Sequence, residues 1–332
     1  MTVLDPGDIA LGTMYFGTRI DQARAFELLD RFVLRGGRWL DTANNYAFWL
    51  DPSGLGGASE SVIGSWLRAN PGMRDQIRIS TKVGAAPTVP GDWPGSMEGL
   101  RATAVRTAFE GSLERLGTDH VDLLWAHVED REVDLEEQVS VFGSLAAEGV
   151  ATRLGASNHA GWRVERARSM ALTLGVEPFT AVQLRHSYLQ PLPFVPLPDR
   201  GHVVATPEAL DHVLSTDLRL WVYNVLLGGA YTDKTRLQDA YRHPSSERRL
   251  AALDRVAAML GATRNQVVLS WLLGSPQSPT PIVGVSTLEQ LDEVMDAREL
   301  PLDELARGIL EEVVENDDVH DAGSGGSLGA LS

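Results

Sequence analysis

Four side chains of types suited to moving a proton onto or off an oxygen atom lie far apart in this chain: Asp41, Tyr46, Lys82 and His127. Of the 29 Lys and Arg residues only Lys82 and Lys234 are lysine. A retained lysine points to chemistry that a planar, permanently charged guanidinium cannot perform. A free tyrosine titrates at about 10 and is a poor acid at neutral pH, but a neighbouring ammonium stabilises its phenolate and lowers that value. Lys82 is expected to do this for Tyr46, with Asp41 holding Lys82 charged and oriented. His127 is expected to donate a hydrogen bond to a substrate oxygen and fix its angle. A positioned acid of this kind contributes a rate factor of about 10² to 10⁴. None of the four delivers a hydride, so a carbonyl reduction here requires a nicotinamide cofactor. They are a poor metal ligand set: no H-x-x-x-H or paired-carboxylate spacing accompanies them, and the chain has no cysteine. Each residue alone has an ordinary structural explanation, such as a helix N-cap for the Asp or a satisfied buried His.

What sets these residues apart is where the surrounding pattern puts them. Short apolar runs that read as strands alternate with amphipathic stretches at helical spacing. Ile9 to Met14 is followed by a helix opened by Asp21 and stopped at Gly36-Gly37; 38–43 is followed by a helix over 59–69; and 77–82 by one over 97–116. Strand-like runs at 121–127, 150–158, 179–184, 218–224 and 280–286 continue the series, with helical runs at 135–148, 162–174, 207–214, 246–260, 264–273, 288–297 and 302–314. The segment 189–201 is too proline-dense for a regular element. Eight strand-plus-helix units without adjacent strands predict an α/β fold, a single-domain (β/α)₈ TIM barrel over residues 1–314 with C-terminal helices. A doubly wound sheet would announce itself by G-x-G-x-x-G after the first strand, and 12–17 lack that spacing. Residues 315–332 turn acidic and then Gly/Ser-rich and are expected to form a mobile tail. In a closed barrel the strand exits share one mouth, so Asp41, Lys82, His127, Ser157-Asn158, Gln183, Tyr223-Asn224 and Ser286 are expected to line one pocket.

The whole chain narrows the partners. With 332 residues, 43% hydrophobic and 22% charged, it can bury a sizeable core in one unit. A formal net charge of −16 opposes nucleic acid or an anionic membrane surface as the main partner. The N-terminus lacks a basic region followed by a signal-type apolar run, and no apolar run is long enough to span a bilayer, so a cytoplasmic location is expected. The oligomeric state is left open.

These segments resemble the aldo-keto reductase family. The resemblance runs from Leu11 to about Leu310 and is carried by LDTANNY (40–46), GASESVIGSWL (57–67), STKVG (80–84), LLWAHVED (123–130), LGASNHA (154–160), AVQLRHS (181–187), VYNVLLGGAYTDK (222–234) and PIVGVSTLEQLDE (281–293). It implies a catalytic tetrad of Asp41, Tyr46, Lys82 and His127, with Tyr46 as proton donor to a carbonyl substrate, whether aldehyde, ketone or ketosugar. It further implies that Ser157, Asn158 and Gln183 hold the carboxamide of NADPH or NADH and that Tyr223 stacks on the nicotinamide. The remaining cofactor residues it implies are Asn224, Leu226, Gly228 and Lys234 after strand 7, and Gly284, Ser286, Gln290 and Glu293 after strand 8. Three features depart from the family. Gly284-Val285-Ser286-Thr287 supplies none of the cations that often meet the 2′-phosphate of NADPH, and Val294 stands where an adenine-contacting Asn is common. An insertion, AFWLDPSGLG (47–56), carries Phe48, Trp49 and Leu50, which either roof the pocket or pack on its rim. VYNVLLGG lacks the usual Ser-Pro after the tyrosine. An alternative within the same resemblance is a nicotinamide-binding regulatory subunit akin to channel β subunits.

Overall fold

The computed structural model of the chain describes residues 8–197 and 201–321. The alternation closes into one barrel of parallel strands in the order β1 to β8, with β1 pairing back onto β8. The strands are short: β1 Ala10–Gly12, β2 Trp39–Asp41, β3 Arg78–Val83, β4 Leu123–Ala126, β5 Leu154–Ser157, β6 Ala181–Arg185, β7 Arg219–Tyr223 and β8 Thr280–Val283. Each predicted strand is present; most are trimmed where the backbone turns into a loop, while β3 and β6 run one residue further, to Val83 and Arg185. The crossover helices are α1 Gln22–Leu34, α2 Ala58–Ala69, α3 Ala102–Leu116, α4 Leu135–Ala147, α5 Gly161–Leu174, α6 Pro207–Leu214, α7 Pro244–Leu260 and α8 Arg264–Leu273. After β8 come α9 Leu288–Asp296 and α10 Glu304–Asp321.

Helix starts follow capping chemistry. Asp21 accepts from Arg24 N, Thr206 precedes Pro207 and accepts from Ala209 N, and Thr263–Gln266 and Thr287–Gln290 form reciprocal capping boxes. The largest boundary correction is α3, expected from Met97 but beginning at Ala102. Residues 97–98 serve another element: Met97 bridges antiparallel to Pro87, and Glu98 N donates to Ala86 O at 2.9 Å. The helix then opens under an outside cap, with Ala102 N donating to Glu137 Oε1 at 2.8 Å. At the other end, α10 carries the backbone helix through 315–321, which the composition had placed in a tail; 322–332 lie outside the described residues.

Two apolar layers hold the barrel. The larger lies between strands and helices and includes Phe32, Trp66, Phe109 and Phe142. The smaller fills the interior: Ala10, Trp39, Leu123, Trp125, Ala181, Trp221 and Ile282. Three indoles meet there, Trp221 lying 5.0 Å from Trp39 and 5.6 Å from Trp125, both near edge-on. Lys82 is in register with Trp125, so the C-terminal end of β3 rests on this layer of indoles.

Candidate active site

Parallel closure sends the strand ends that carry the expected residues to one side of the barrel. Asp41 ends β2, Lys82 stands one residue before the end of β3, His127 follows β4, and Tyr46 lies in the turn after β2. Asp41 and Lys82 are fully buried. Lys82 Nζ donates to Asp41 Oδ2 at 2.6 Å, Thr42 O at 2.9 Å and Tyr46 Oη at 2.5 Å. An ammonium has three protons, and each has an acceptor. Tyr46 Oη donates in turn to Asp41 Oδ2 at 2.8 Å. The other carboxylate oxygen, Oδ1, accepts from Ser80 Oγ at 2.8 Å and Gln183 Nε2 at 3.3 Å. The His127 ring stands edge-on to Tyr46, centroids 6.1 Å apart.

The electrostatics correct one expectation. Tyr46 is held well above the ordinary tyrosine value, not below it: burial leads, followed by the Asp41 charge and the hydrogen bond Tyr46 donates to Asp41. Lys82 is lowered by burial, against the opposing pull of Asp41 and Glu60. His127 is driven well below 6.5, first by burial and then by the charges of Lys82 and His202, so it is neutral at pH 7. A neutral imidazole keeps one N–H to donate and one bare nitrogen. Its Nδ1 is buried with no partner among the described residues.

At the ends of β5 and β6 a second polar group forms. Asn158, in the left-handed region at φ 59, donates from Nδ2 to His127 O at 3.2 Å and to Ser157 Oγ at 3.1 Å. Its Oδ1 accepts from Tyr223 Oη at 2.6 Å and Val203 N at 3.1 Å. Ser157 Oγ donates to Gln183 O at 3.3 Å. Ser157, Asn158, Gln183 and Tyr223 thus form one hydrogen-bonded cluster linked to Asp41 through Gln183.

Comparison with known proteins agrees with this geometry. The model of the "Aldo/keto reductase family" matches residues 8–315. The chain belongs to the aldo/keto reductase family. Among curated relatives, an uncharacterized oxidoreductase YrpG of Bacillus subtilis is 31% identical over 299 residues, covering 89% of this chain and 88% of that protein. The norsolorinic acid reductase stcV of Emericella nidulans is 30% identical, over 86% of this chain and 72% of that protein. A putative voltage-gated potassium channel subunit beta of Schizosaccharomyces pombe is 28% identical, over 78% and 76%.

In this aldo/keto reductase the loop after β7 departs most from regular backbone. Asn224, Leu227, Gly228 and Gly229 all have positive φ; the leucine at φ 49 is costly for a branched side chain and is held by the 3₁₀ turn Leu227–Gly229. Gly228, with Asn224, Leu227, Arg185, Arg236 and Tyr241, lines a cavity of about 290 Å³ beside Tyr223. A Cβ on Gly228 would meet nothing within 4 Å, so that turn faces open space. Asn224, its amide oxygen turned to Arg185, accepts from Nη2 at 2.7 Å and Nε at 3.2 Å. Leu226, half-buried, precedes the turn. Lys234 is exposed in the next 3₁₀ turn, its charge acting on Asp254 of α7, and no direct bond joins it to the tetrad.

After β8, Gly284 and Ser286 are exposed, and Gln290 Oε1 accepts from Ser286 N at 2.8 Å and Ser286 Oγ at 3.0 Å. Gln290 therefore shapes this loop as part of the α9 cap. Glu293 faces α8, accepting from Thr263 Oγ1 at 2.5 Å, and Val294 is buried. The cation that this loop lacks in sequence arrives from another element: Arg24 of α1 donates from Nε to Ser286 O at 3.3 Å. Sequence reading missed Arg24, Ser80 and Glu60. Ser80 carried a usable signal, since two residues before Lys82 on a strand means the same face. Glu60, fully buried, bonds Thr81 Oγ1 at 2.5 Å and Arg115 Nε at 2.8 Å, a pairing across three elements that no local pattern encodes.

Proposed function

We propose that the protein is an NAD(P)H-dependent carbonyl reductase, or an alcohol dehydrogenase in reverse, with Tyr46 as the acid. The observation that carries this is the closed triangle of Tyr46 Oη, Lys82 Nζ and Asp41 Oδ2, with every edge between 2.5 and 2.8 Å. The residues fit a nicotinamide cofactor: two amide side chains and a serine hydroxyl gather beside Tyr223, and a roomy cavity continues under the β7 loop. Bound NAD(P)H would supply the hydride. Ser157, Asn158 and Gln183 would hold the carboxamide, Tyr223 would cover the ring, and Asn224, Leu226 and Gly228 would line the path of the phosphates.

The proton step belongs to this chain. A substrate oxygen between Tyr46 and His127 would take the hydrogen bond that Tyr46 now gives Asp41. As negative charge builds on that oxygen, Tyr46 releases its proton and becomes a phenolate beside Lys82. The ammonium that already touches Tyr46 Oη meets that charge without reorganisation, which is where preorganised electrostatics lowers a barrier. Neutral His127 gives a hydrogen bond without competing as an acid.

The test is Tyr46→Phe, which keeps the ring and deletes the proton. Reduction of a simple aldehyde is expected to fall by at least about 10², while titration with NADPH and with NADH, followed by nicotinamide fluorescence, keeps the wild-type affinities. Retained turnover would remove Tyr46 as the acid. Failure of the wild type to bind either nucleotide would remove the cofactor. The same titration decides between NADPH and NADH, and a preference for NADPH lost in Arg24→Ala would give Arg24 the 2′-phosphate. The tetrad argues against a purely regulatory role, because binding alone has no use for a tyrosine hydroxyl coupled to a buried ammonium.

A further inference from the structure

Three loops approach one another beside Tyr46 and His127, joined by a backbone bond and by aromatic rings. The 47–56 and 84–97 loops are tied by Gly91 N donating to Gly54 O at 2.9 Å. Phe48, two residues after Tyr46 and buried, stands edge-on to Trp49 at 5.2 Å and tilted to Trp93 at 6.5 Å. Trp93 also reaches the third loop: a Cβ on Gly201 would lie 3.8 Å from both Trp93 Cη2 and Val128 Cγ1, and Val128 adjoins His127. The next residue, His202, stands edge-on to Tyr223 at 5.1 Å. Phe48, Trp93 and His202 thus bring rings from three loops beside Tyr46 and His127, a wall joined by the Phe48–Trp93 contact and by the approach of Trp93 to Gly201.

We propose that this wall selects a flat aromatic aldehyde or ketone as substrate, an inference that rests on the reductase reading above. Aromatic rings attract one another in offset-stacked and edge-on arrangements beyond the area they bury. A sugar suits it poorly. Each hydroxyl brought against these rings must find a partner or stay unsatisfied, and the amides of Asn158 and Gln183 are already engaged with protein atoms and lie where a nicotinamide would use them. Trp93 brings one further group, an indole N–H buried with no acceptor among the described residues, which an oxygen substituent on the substrate rings would satisfy.

The experiment compares three uncharged aldehydes with saturating nicotinamide cofactor: 2-naphthaldehyde, cyclohexanecarbaldehyde and glyceraldehyde. The aryl aldehyde is the least electrophilic of the three, so a tenfold or greater advantage in kcat/KM would come from the site. Trp93→Leu is expected to cut the naphthaldehyde value by roughly 2- to 12-fold, the worth of one aromatic pair, with little change for cyclohexanecarbaldehyde or for NAD(P)H affinity. Equal kcat/KM for all three, or preference for glyceraldehyde, overturns the proposal and leaves the reductase standing. If Trp93→Leu does not fold, Trp93→Phe and Phe48→Leu carry the same comparison, and the wild-type ranking decides by itself. Selective calorimetric binding of naphthaldehyde with no turnover of any aldehyde would keep the aromatic site and overturn the reductase reading instead.

Discussion

At the scale of single residues, the Asp41–Lys82 pair is both the proposed machinery and a structural risk. Both side chains are out of water, and their attraction has to offset two desolvation penalties. Removing one partner leaves a buried, uncompensated charge. Lys82→Met is therefore expected to lose about 3–5 kcal/mol of stability along with activity. Adding Asp41→Asn to Lys82→Met is expected to recover most of that stability in a urea melt while activity stays absent; a double variant no more stable than the single would show that buried charge is not the cause. A second residue-scale prediction concerns His186, buried beside Trp271 and lowered to about 4 by burial and the charge of Arg249. Unfolded, it titrates near 6.5, so between these values the unfolded chain binds a proton that the folded chain refuses. Its contribution is complete above about pH 6.5 and disappears as pH falls toward 4, up to about 3 kcal/mol over that window. Denaturant melts at several pH values should show a shallower acid slope for His186→Asn, and an identical slope would exclude His186 as the titrating group.

At the scale of elements, the geometry around the candidate site is set where neighbouring strands and helices approach closest. Gly155 of β5 lies against the Trp125 indole of β4: a Cβ there would stand 2.3 Å from Cε3. The indole cannot retreat, because Trp221 lies behind it and the Lys82 backbone pairs beside it. Gly155→Ala should thus cost roughly 1–3 kcal/mol, the usual penalty of overpacking, and shift the tryptophan emission. A variant melting at the wild-type temperature would mean that the layer of indoles is looser than the packing indicates. Such elements were legible in sequence to differing degrees. Every strand and crossover helix announced itself by periodicity and breakers. The start of α3 did not, because Met97 and Glu98 look helical in isolation and are drawn away by pairing with the 84–87 segment.

At the scale of the molecule, the net charge of −16 sets the field an incoming substrate crosses. A neutral carbonyl is indifferent to it, whereas a keto acid is repelled. Raising ionic strength from about 0.01 to 0.15 M shortens the Debye length from about 30 to 8 Å. Under that change kcat/KM for an anionic carbonyl should rise severalfold and that for a neutral one should stay flat; a fall for the anion would reveal local positive charge at the mouth that outweighs the net field. The chain's sequence by itself determined the barrel and the gathering of Asp41, Lys82 and His127 at one mouth, because strand and helix periods are local and because parallel closure sends every strand exit to one end. It also marked Lys82, by the scarcity of lysine. Only the tertiary structure decided how these groups act on one another. Tyr46 is raised and not lowered because folding buries it and sets it against the Asp41 carboxylate, and Arg24 meets the β8 loop from the start of α1. The ring cluster proposed to select substrate joins Phe48, Trp93 and His202 from three loops. Each of these depends on distances between segments far apart in the chain, which residue spacing along a sequence does not encode.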